Sequence, residues 1–200
     1  MNTQTHLLIG AAFFGGKVPR LAWAGAIGGI LPDIPMFLIV AALKAYGVHN
    51  LVIFGFLYWQ NWWQIANAIS HNFWLWGGLL VFSIAMRERR NLDLNAIDRW
   101  MIPIVLSASA LLHTSIDFLC HREDAHMSLW PLTRWKFISP VSYWDQNHFG
   151  FEFSVFETGI GLVLAGLLFA RFSGLLVRAA LLMLIALYVA APLYWSLSFS

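Results

Sequence analysis

Histidines and carboxylates are gathered into a few short stretches of a chain that otherwise avoids charge. Seven of the ten acidic residues and six of the seven histidines fall in Thr5-His6, Leu31-Pro32-Asp33-Ile34-Pro35, Ser70-His71-Asn72 and the run from His113 to Glu157. The chain is 60% hydrophobic and 11% charged. Ionisable groups in such surroundings are costly and ask for a use. Imidazole nitrogens and carboxylate oxygens are ligands for divalent ions, zinc among them. His113, Asp117 and His121 repeat at i, i+4 and i+8, which puts all three on one face if the helix continues through His121. The following loop adds Asp124 and His126, then Asp145 and His148. A bare HxxxD is common by chance, whereas HxxxDxxxHxxDxH in a charge-poor chain is much more specific. The expected ligands are His113, Asp117, His121 and His126, with His6, Asp33 and His71 completing the site. Asp124 or Glu152 is the expected general base. Glu152 and Glu157 are five apart, so they cannot aim at one point.

Plainer readings stand beside these. Asp33 between prolines also suits a carboxylate capping a broken helix. His49 belongs to no cluster and reads as a loop residue. Ser70 beside His71 is not read as a nucleophile pair, because neighbours in a helix do not face each other. Trp130, Trp135 and Trp144 read as interfacial anchors. Cys120 is the single cysteine, which excludes an intrachain disulfide. No cluster of Lys and Arg suggests nucleic acid.

The elements that must carry these residues are membrane helices. Mean hydropathy is +0.68, with 11 Trp and 16 Phe. Leu21–Leu43, Ile65–Met86, Trp100–Leu119, Phe151–Ala170 and Ala179–Ser198 each approach or exceed the ~20 residues that cross a ~30 Å hydrocarbon core. His6–Gly16 is a sixth, shorter apolar run. The start has no basic region and is not read as a cleaved signal peptide. The expectation is an all-α polytopic bundle, five or six transmembrane helices plus an interfacial helix, as one integral membrane domain over residues 1–200. Metal-site motifs lie within 5–157, and the last helices over 151–170 and 179–198.

Basic residues give an orientation. Lys17 and Arg20, then Arg87, Arg89, Arg90 and Arg99, then Arg171 and Arg178 fall at alternate connections if His6–Gly16 also crosses. Lys44, Arg122, Arg134 and Lys136 mark the other side. The positive-inside rule places the first set in the cytoplasm. Six crossings put both termini outside; the alternative is five, with His6–Gly16 in the interface. At 1.5 Å per residue, His6, Asp33, His71, His113 and Glu157 stand ~16–24 Å above the nearest inner basic residue. Five segments thus bring an ionisable group to one level in the outer half of the membrane. Leu51–Gln64 is uncharged and carries Tyr58, Trp59, Trp62 and Trp63, which suits an interfacial helix. Gly25, Gly28 and Gly29 offer a surface for close helix packing, and Pro32 and Pro35 break the helix around Asp33.

These motifs, in this order, resemble the YdjM-like inner-membrane metal-dependent hydrolases. The matching pieces are Thr5-His6-Leu7-Leu8, Leu31-Pro32-Asp33-Ile34, Ser70-His71 and His113-Thr-Ser-Ile-Asp117. His121-Arg-Glu-Asp124-Ala-His126, Leu129-Trp130-Pro131-Leu132 and Ser139-Pro140-Val141-Ser142-Tyr143-Trp144-Asp145 resemble one branch, so the likeness covers roughly residues 5–150. It implies a multi-pass protein of the cell inner membrane whose divalent ion, zinc by expectation, serves hydrolysis of an ester or phosphoester. A lipid-like or other small-molecule substrate and contact with membrane lipid are the expected partners; no oligomeric state is implied. The chain departs from the family pattern at Pro35, where a second carboxylate is common, and at Ala68–Asn72, which keeps one histidine. Both departures remove ligands. A haem-binding carrier and a metal or proton transporter are the competing expectations. Carboxylates beside the histidines argue against haem, and broken helices with midplane carboxylates are also found in transporters.

Overall fold

The computed structural model describes residues 1–90 and 98–199, with side chains through residue 188. Among the described residues every regular element is a helix. They run α1 (Thr3–Phe14), α2 (Pro19–Ile30), α3 (Ile34–Ala45), α4 (Asn50–Gly55), α5 (Asn61–Ser70), α6 (Phe73–Glu88), α7 (Met101–Cys120), α8 (Gly150–Arg171) and α9 (Leu175–Phe199), with short 3-10 turns at Leu31–Asp33, Leu57–Trp59 and Gln146–His148.

Four stretches are long and apolar enough to cross a membrane: Pro19–Ala45, Asn61–Glu88, Met101–Cys120 and Gly150–Arg171. The first joins α2 and α3 through the turn at Pro32, and the second joins α5 and α6 through a break at His71-Asn72. Large apolar side chains on these helices point outward, Val81 68%, Phe82 58% and Val163 62% exposed. A soluble protein would bury so much apolar surface. Among the described residues four of the expected five or six crossings are long enough to span; the remaining candidates are the helices at the two ends of the chain. With 12 residues, α1 is ~18 Å long and too short to span on its own. Its first turn enters the bundle beside α7. The described apolar part of α9, Leu175–Tyr188, is likewise short of a span.

Lipid is as apolar as leucine, so helices in a membrane associate by close packing rather than by hydrophobic burial. Here glycines let them approach. A β-carbon on Gly10 would lie 2.1 Å from the Gly25 carbonyl oxygen, and one on Gly25 would lie 2.2 Å from that of Gly10. Gly29 is pressed in the same way against the His6 backbone, and Gly28 against Leu106 of α7. Helix α2 is thus a smooth rod between α1 and α7. Gly25→Ala drives a methyl into backbone and should cost at least the ~1–3 kcal/mol of overpacking. The melting temperature of the detergent-purified protein should fall accordingly, while Gly77→Ala, with open space around it, should not lower it.

The expected interfacial helix over 51–64 is broken into α4, the 3-10 turn and the start of α5. Ile53, Tyr58 and Trp63 turn inward and pack on Met36, Ile39, Val40 and Leu43. Leu51, Phe56, Trp59 and Trp62 stay exposed. His49 caps α4, its Nδ1 accepting the Leu51 amide at 3.3 Å. The long connection between α7 and α8 folds back on the end of α7. The Ser139 amide donates to the His121 carbonyl, and that of Tyr143 to the Cys120 carbonyl.

Orientation is testable with single cysteines in a Cys120→Ser background. Gln146 and Ser173 are exposed at opposite ends of α8. A cysteine at 146 should react with a membrane-impermeant thiol reagent in intact cells, and one at 173 only after lysis. Asn91, which the charge pattern also predicts to be on the inner side, lies outside the described residues.

Candidate metal centre

The break in α2–α3, the end of α5 and the middle of α7 meet at one point. Asp33, His71, His113 and Asp117 are all buried there and offer ligand atoms within 4.8 Å of one another. The His113 Nε2 lies 3.1 Å from Asp117 Oδ2 and 3.7 Å from Asp33 Oδ1. The His71 Nε2 lies 3.4 Å from Asp33 Oδ1 and 3.6 Å from Asp117 Oδ2.

The backbone sets both tautomers. Nδ1 of His113 donates to the Gly29 carbonyl at 2.7 Å, and Nδ1 of His71 to the Asn67 carbonyl at 3.2 Å. In a neutral ring the other nitrogen is then an acceptor. Both Nε2 atoms are buried without a hydrogen-bond partner. Two imidazole lone pairs and two carboxylates therefore face one another, an arrangement that only cations or extra protons reconcile. Carbonyl-anchored imidazoles are what metal-ligating histidines show. The donor set, two nitrogens and two carboxylate oxygens, suits a divalent ion of the zinc type.

Asp117 is the hub. His6 Nε2 donates to its Oδ1 at 2.7 Å, and the His6 ring stacks on His113 at 3.7 Å. His6 is thus part of the cluster but points at Asp117, holding the carboxylate so that Oδ2 faces the other histidines. The Met1 amino group also donates to Oδ1, at 2.8 Å. It sits inside a second group, Asp117, Cys120 and His121, at 3.1 Å from Cys120 Sγ and 3.2 Å from His121 Nε2.

The expectation that α7 runs through His121 fails by one residue. Helix α7 ends at Cys120 and His121 is extended, yet its Nε2 still reaches Asp117 Oδ2 at 3.4 Å. Its Nδ1 lies 3.0 Å from Asp124 Oδ2. Burial works against the His121 cation, but Asp117 and Asp124 raise its pKa above the ordinary value. Burial likewise opposes the Asp124 carboxylate, and His121 outweighs it and lowers the pKa. Asp124 therefore stands behind His121, as an orienting carboxylate does behind a ligating histidine. Asp124→Asn should weaken divalent metal binding about 10–100-fold, the range for such partners, measured by competition with a chromophoric chelator. An unchanged affinity would sever Asp124 from the centre.

His126 stacks on His71 at 4.0 Å and lies 4.9 Å from His121. Burial and the two neighbouring histidines hold its pKa well below the usual value, so it is a neutral ring at the rim of the cluster. Glu152 is exposed on the first turn of α8 and joins none of the described contacts of the cluster. The buried carboxylate of that helix is Glu157, whose oxygens accept from the Asn2 amide at 2.7 Å and the Asn2 side chain at 2.8 Å. Asp145 and His148 pair with each other at 2.6 Å and with Glu123 form a separate, partly exposed group.

Several contacts go beyond the sequence reading. Thr3 donates its hydroxyl to Asp33 Oδ2 at 2.5 Å. Ser70 and His71 do touch, Oγ to Nδ1 at 3.1 Å, because His71 leaves the helix with φ −100 and ψ 43. Ser70 shares the Asn67 carbonyl with that ring, which makes it a support for His71. The Tyr143 ring lies tilted against His121, centroids 4.6 Å apart. Burial raises the pKa of Tyr143 and of Tyr58, so both hydroxyls stay protonated donors. The Asn-Thr start and the tyrosines carry no spacing signal; only the Ser142-Tyr143 run, already part of the resemblance, pointed this way.

Fold and site together define an all-helical protein of the membrane class with a buried histidine–aspartate cluster able to hold a metal ion. No protein-family model matches the sequence, and searches of curated proteins and of solved structures find no match.

Proposed function

We propose that this is a membrane-embedded, metal-dependent hydrolase acting on an ester or phosphoester at the outer face, with zinc as its ion. The single observation that carries this reading is the pair of carbonyl-anchored imidazoles whose buried, unpartnered Nε2 atoms face Asp33 and Asp117. Resemblance to the YdjM-like inner-membrane hydrolases supports it from the sequence. His71, His113, Asp33 and Asp117 would hold the ion, with His121 beside them. When bound, a divalent ion supplies the positive charge that polarises an ester and makes water more acidic.

The chain's own residues then have separable tasks. His6 orients Asp117, Thr3 holds one oxygen of Asp33, and Asp124 orients His121. The second Asp124 oxygen is buried without a partner, which leaves an acceptor free to take a proton from water; this is the base role proposed for it. His126, stacked on His71, and the Tyr143 ring, 4.6 Å from His121, stand beside the cluster. Membrane depth and the aromatic surface of α4 and α5 suit a lipid-like substrate.

One observation favours a second reading. Asp33 and His71 both sit at breaks in membrane helices, as ion sites in transporters do. The test separates the two. Purified protein is analysed for metals, then assayed on p-nitrophenyl phosphodiester and carboxylester substrates before and after chelation. Zinc near stoichiometry with chelator-sensitive hydrolysis is the expected result. Zinc-dependent uptake into vesicles without hydrolysis would replace the enzyme with a transporter, and absence of any retained divalent ion would overturn both.

A further inference from the structure

The start of α1 is held from two sides. Residues three apart in a helical turn fall on one side of it. Thr3 and His6 turn toward the cluster, where they donate to Asp33 and Asp117. Asn2 and Thr5 turn toward α8 and α9. The Asn2 amide and side chain donate to the two oxygens of Glu157 at 2.7 and 2.8 Å, and the Thr5 hydroxyl lies 2.7 Å from that of Tyr188. Gly161, one turn after Glu157, leaves the room for this: a β-carbon there would run into the Tyr188 ring and hydroxyl. Leu164 and Leu168 continue the same face of α8 and pack in one core with Leu8 and Ala11 of α1.

Glu157 is 1% exposed inside the span Gly150–Arg171. A carboxylate at that depth is costly and asks for a function, and the mechanism above gives it none. Capping explains part of its use. The first amides of a helix have no partner within it, lipid offers none, and a carboxylate suits the positive end of the helix dipole. Asparagine, however, is itself among the best N-cap residues. Asn2 stands at the N-cap of α1, yet its side chain makes no cap bond there; it is turned to Glu157 instead. Both donors of Asn2 are thus committed to α8. The consequence lies on the other side of the turn. His6 reaches Asp117 and stacks on His113, and its backbone is pressed against Gly29, whose carbonyl anchors the His113 ring. A shift of α1 along or away from α8 moves His6 against Asp117 and His113 together.

We infer that Glu157 is a positioning residue for the metal centre: by holding Asn2 it fixes the turn of α1 that carries Thr3 and His6, and through them the carboxylates of Asp33 and Asp117. The inference rests on the metal-site reading above. Among the described contacts Glu157 touches none of the four ligating side chains, so its effect passes through α1.

The test measures zinc affinity of the full chain in detergent by competition with a chromophoric chelator, beside the ligand-field absorption of the cobalt-loaded protein. Glu157→Ala removes both acceptors. Affinity should fall about tenfold, the lower end of the range for groups that support a ligand, and the cobalt bands should shift. Glu157→Gln should recover most of the affinity, since its oxygen still takes the Asn2 amide and the Asn2 side chain can turn to accept from the new NH2. Glu157→Asp keeps the charge but is one methylene short, and should bind more weakly than Glu157→Gln; this pair decides the matter if Glu157→Ala does not insert. Leu168→Ala loosens the packing of α8 on α1 without touching the tie to Asn2. It should lower the melting temperature and leave zinc affinity close to that of the parent. In a His6→Ala background most of the effect of Glu157→Ala should vanish, because members of one network do not act additively. Parental affinity in Glu157→Ala and Glu157→Asp overturns the inference and leaves the metal site standing. So does an equal loss in Leu168→Ala, or full additivity with His6→Ala. A parent protein that retains no divalent ion has a different meaning: the metal reading itself falls, and the inference with it.

Discussion

Replacing Asp117 by Ala should abolish metal retention. Its two oxygens are shared among His6, His71, His113, His121 and the Met1 amino group. Among the described residues no other contacts so many members of the cluster. Loss of a direct ligand should exceed the 10–100-fold effect of a supporting group, so affinity should drop more than about 100-fold. His113→Ala should do the same. Glu152→Ala should change nothing, because Glu152 is exposed and outside the cluster's contacts. The measurement is zinc content by elemental analysis after gel filtration, beside a chelator competition. Each variant must still insert and elute as the parent does. Unchanged zinc in both Asp117→Ala and His113→Ala would sink the assignment.

Asp33→Asn separates two physical roles for one carboxylate. A carboxylate at a helix break commonly caps free amides, and losing a cap costs about 1 kcal/mol. Here Asp33 makes no side-chain cap bond; one oxygen takes the Thr3 hydroxyl and the other faces His71 and His113. The amide keeps the shape and removes the charge. Metal affinity should therefore fall about 100-fold or more, in the range of a lost ligand, while thermal stability of the metal-free protein stays within about 1 kcal/mol of the parent. A variant that melts earlier and still holds metal would return Asp33 to the capping role.

Helical class, the apolar spans and the membership of the cluster were legible in the sequence. Run length and hydropathy set the four long helices, since a bilayer demands that many apolar residues in a row. His6, Asp33, His71 and His113 could be brought to one depth by rise alone, because a membrane helix moves along one axis and charge marks one of its ends. The contact between Asp33 and His113 follows that depth argument. The crossings expected at the two ends of the chain are not among the four long spans of the described residues. The first apolar run, 12 residues as α1, is roughly two turns too short on its own, and its first turn tucks into the bundle against Asp117.

What depended on tertiary structure is direction. Periodicity puts His6, His71, His113 and His121 near one another but does not say which ring nitrogen points in. The Gly29 and Asn67 carbonyls decide that for His113 and His71, and they are placed by a break in one helix and by the packing of glycines in another. Asp124 and Glu152 looked alike as carboxylates near the motif. The fold-back of the connection between α7 and α8 sets Asp124 behind His121, whereas the first turn of α8 leaves Glu152 exposed. The same fold-back lays Lys136 on Gln64, in the first turn of α5. Such pairings join residues about 70 apart in the chain, and no local pattern encodes them. Sequence determined which groups the membrane must tolerate at that level; the tertiary structure decided which of their atoms face a common centre.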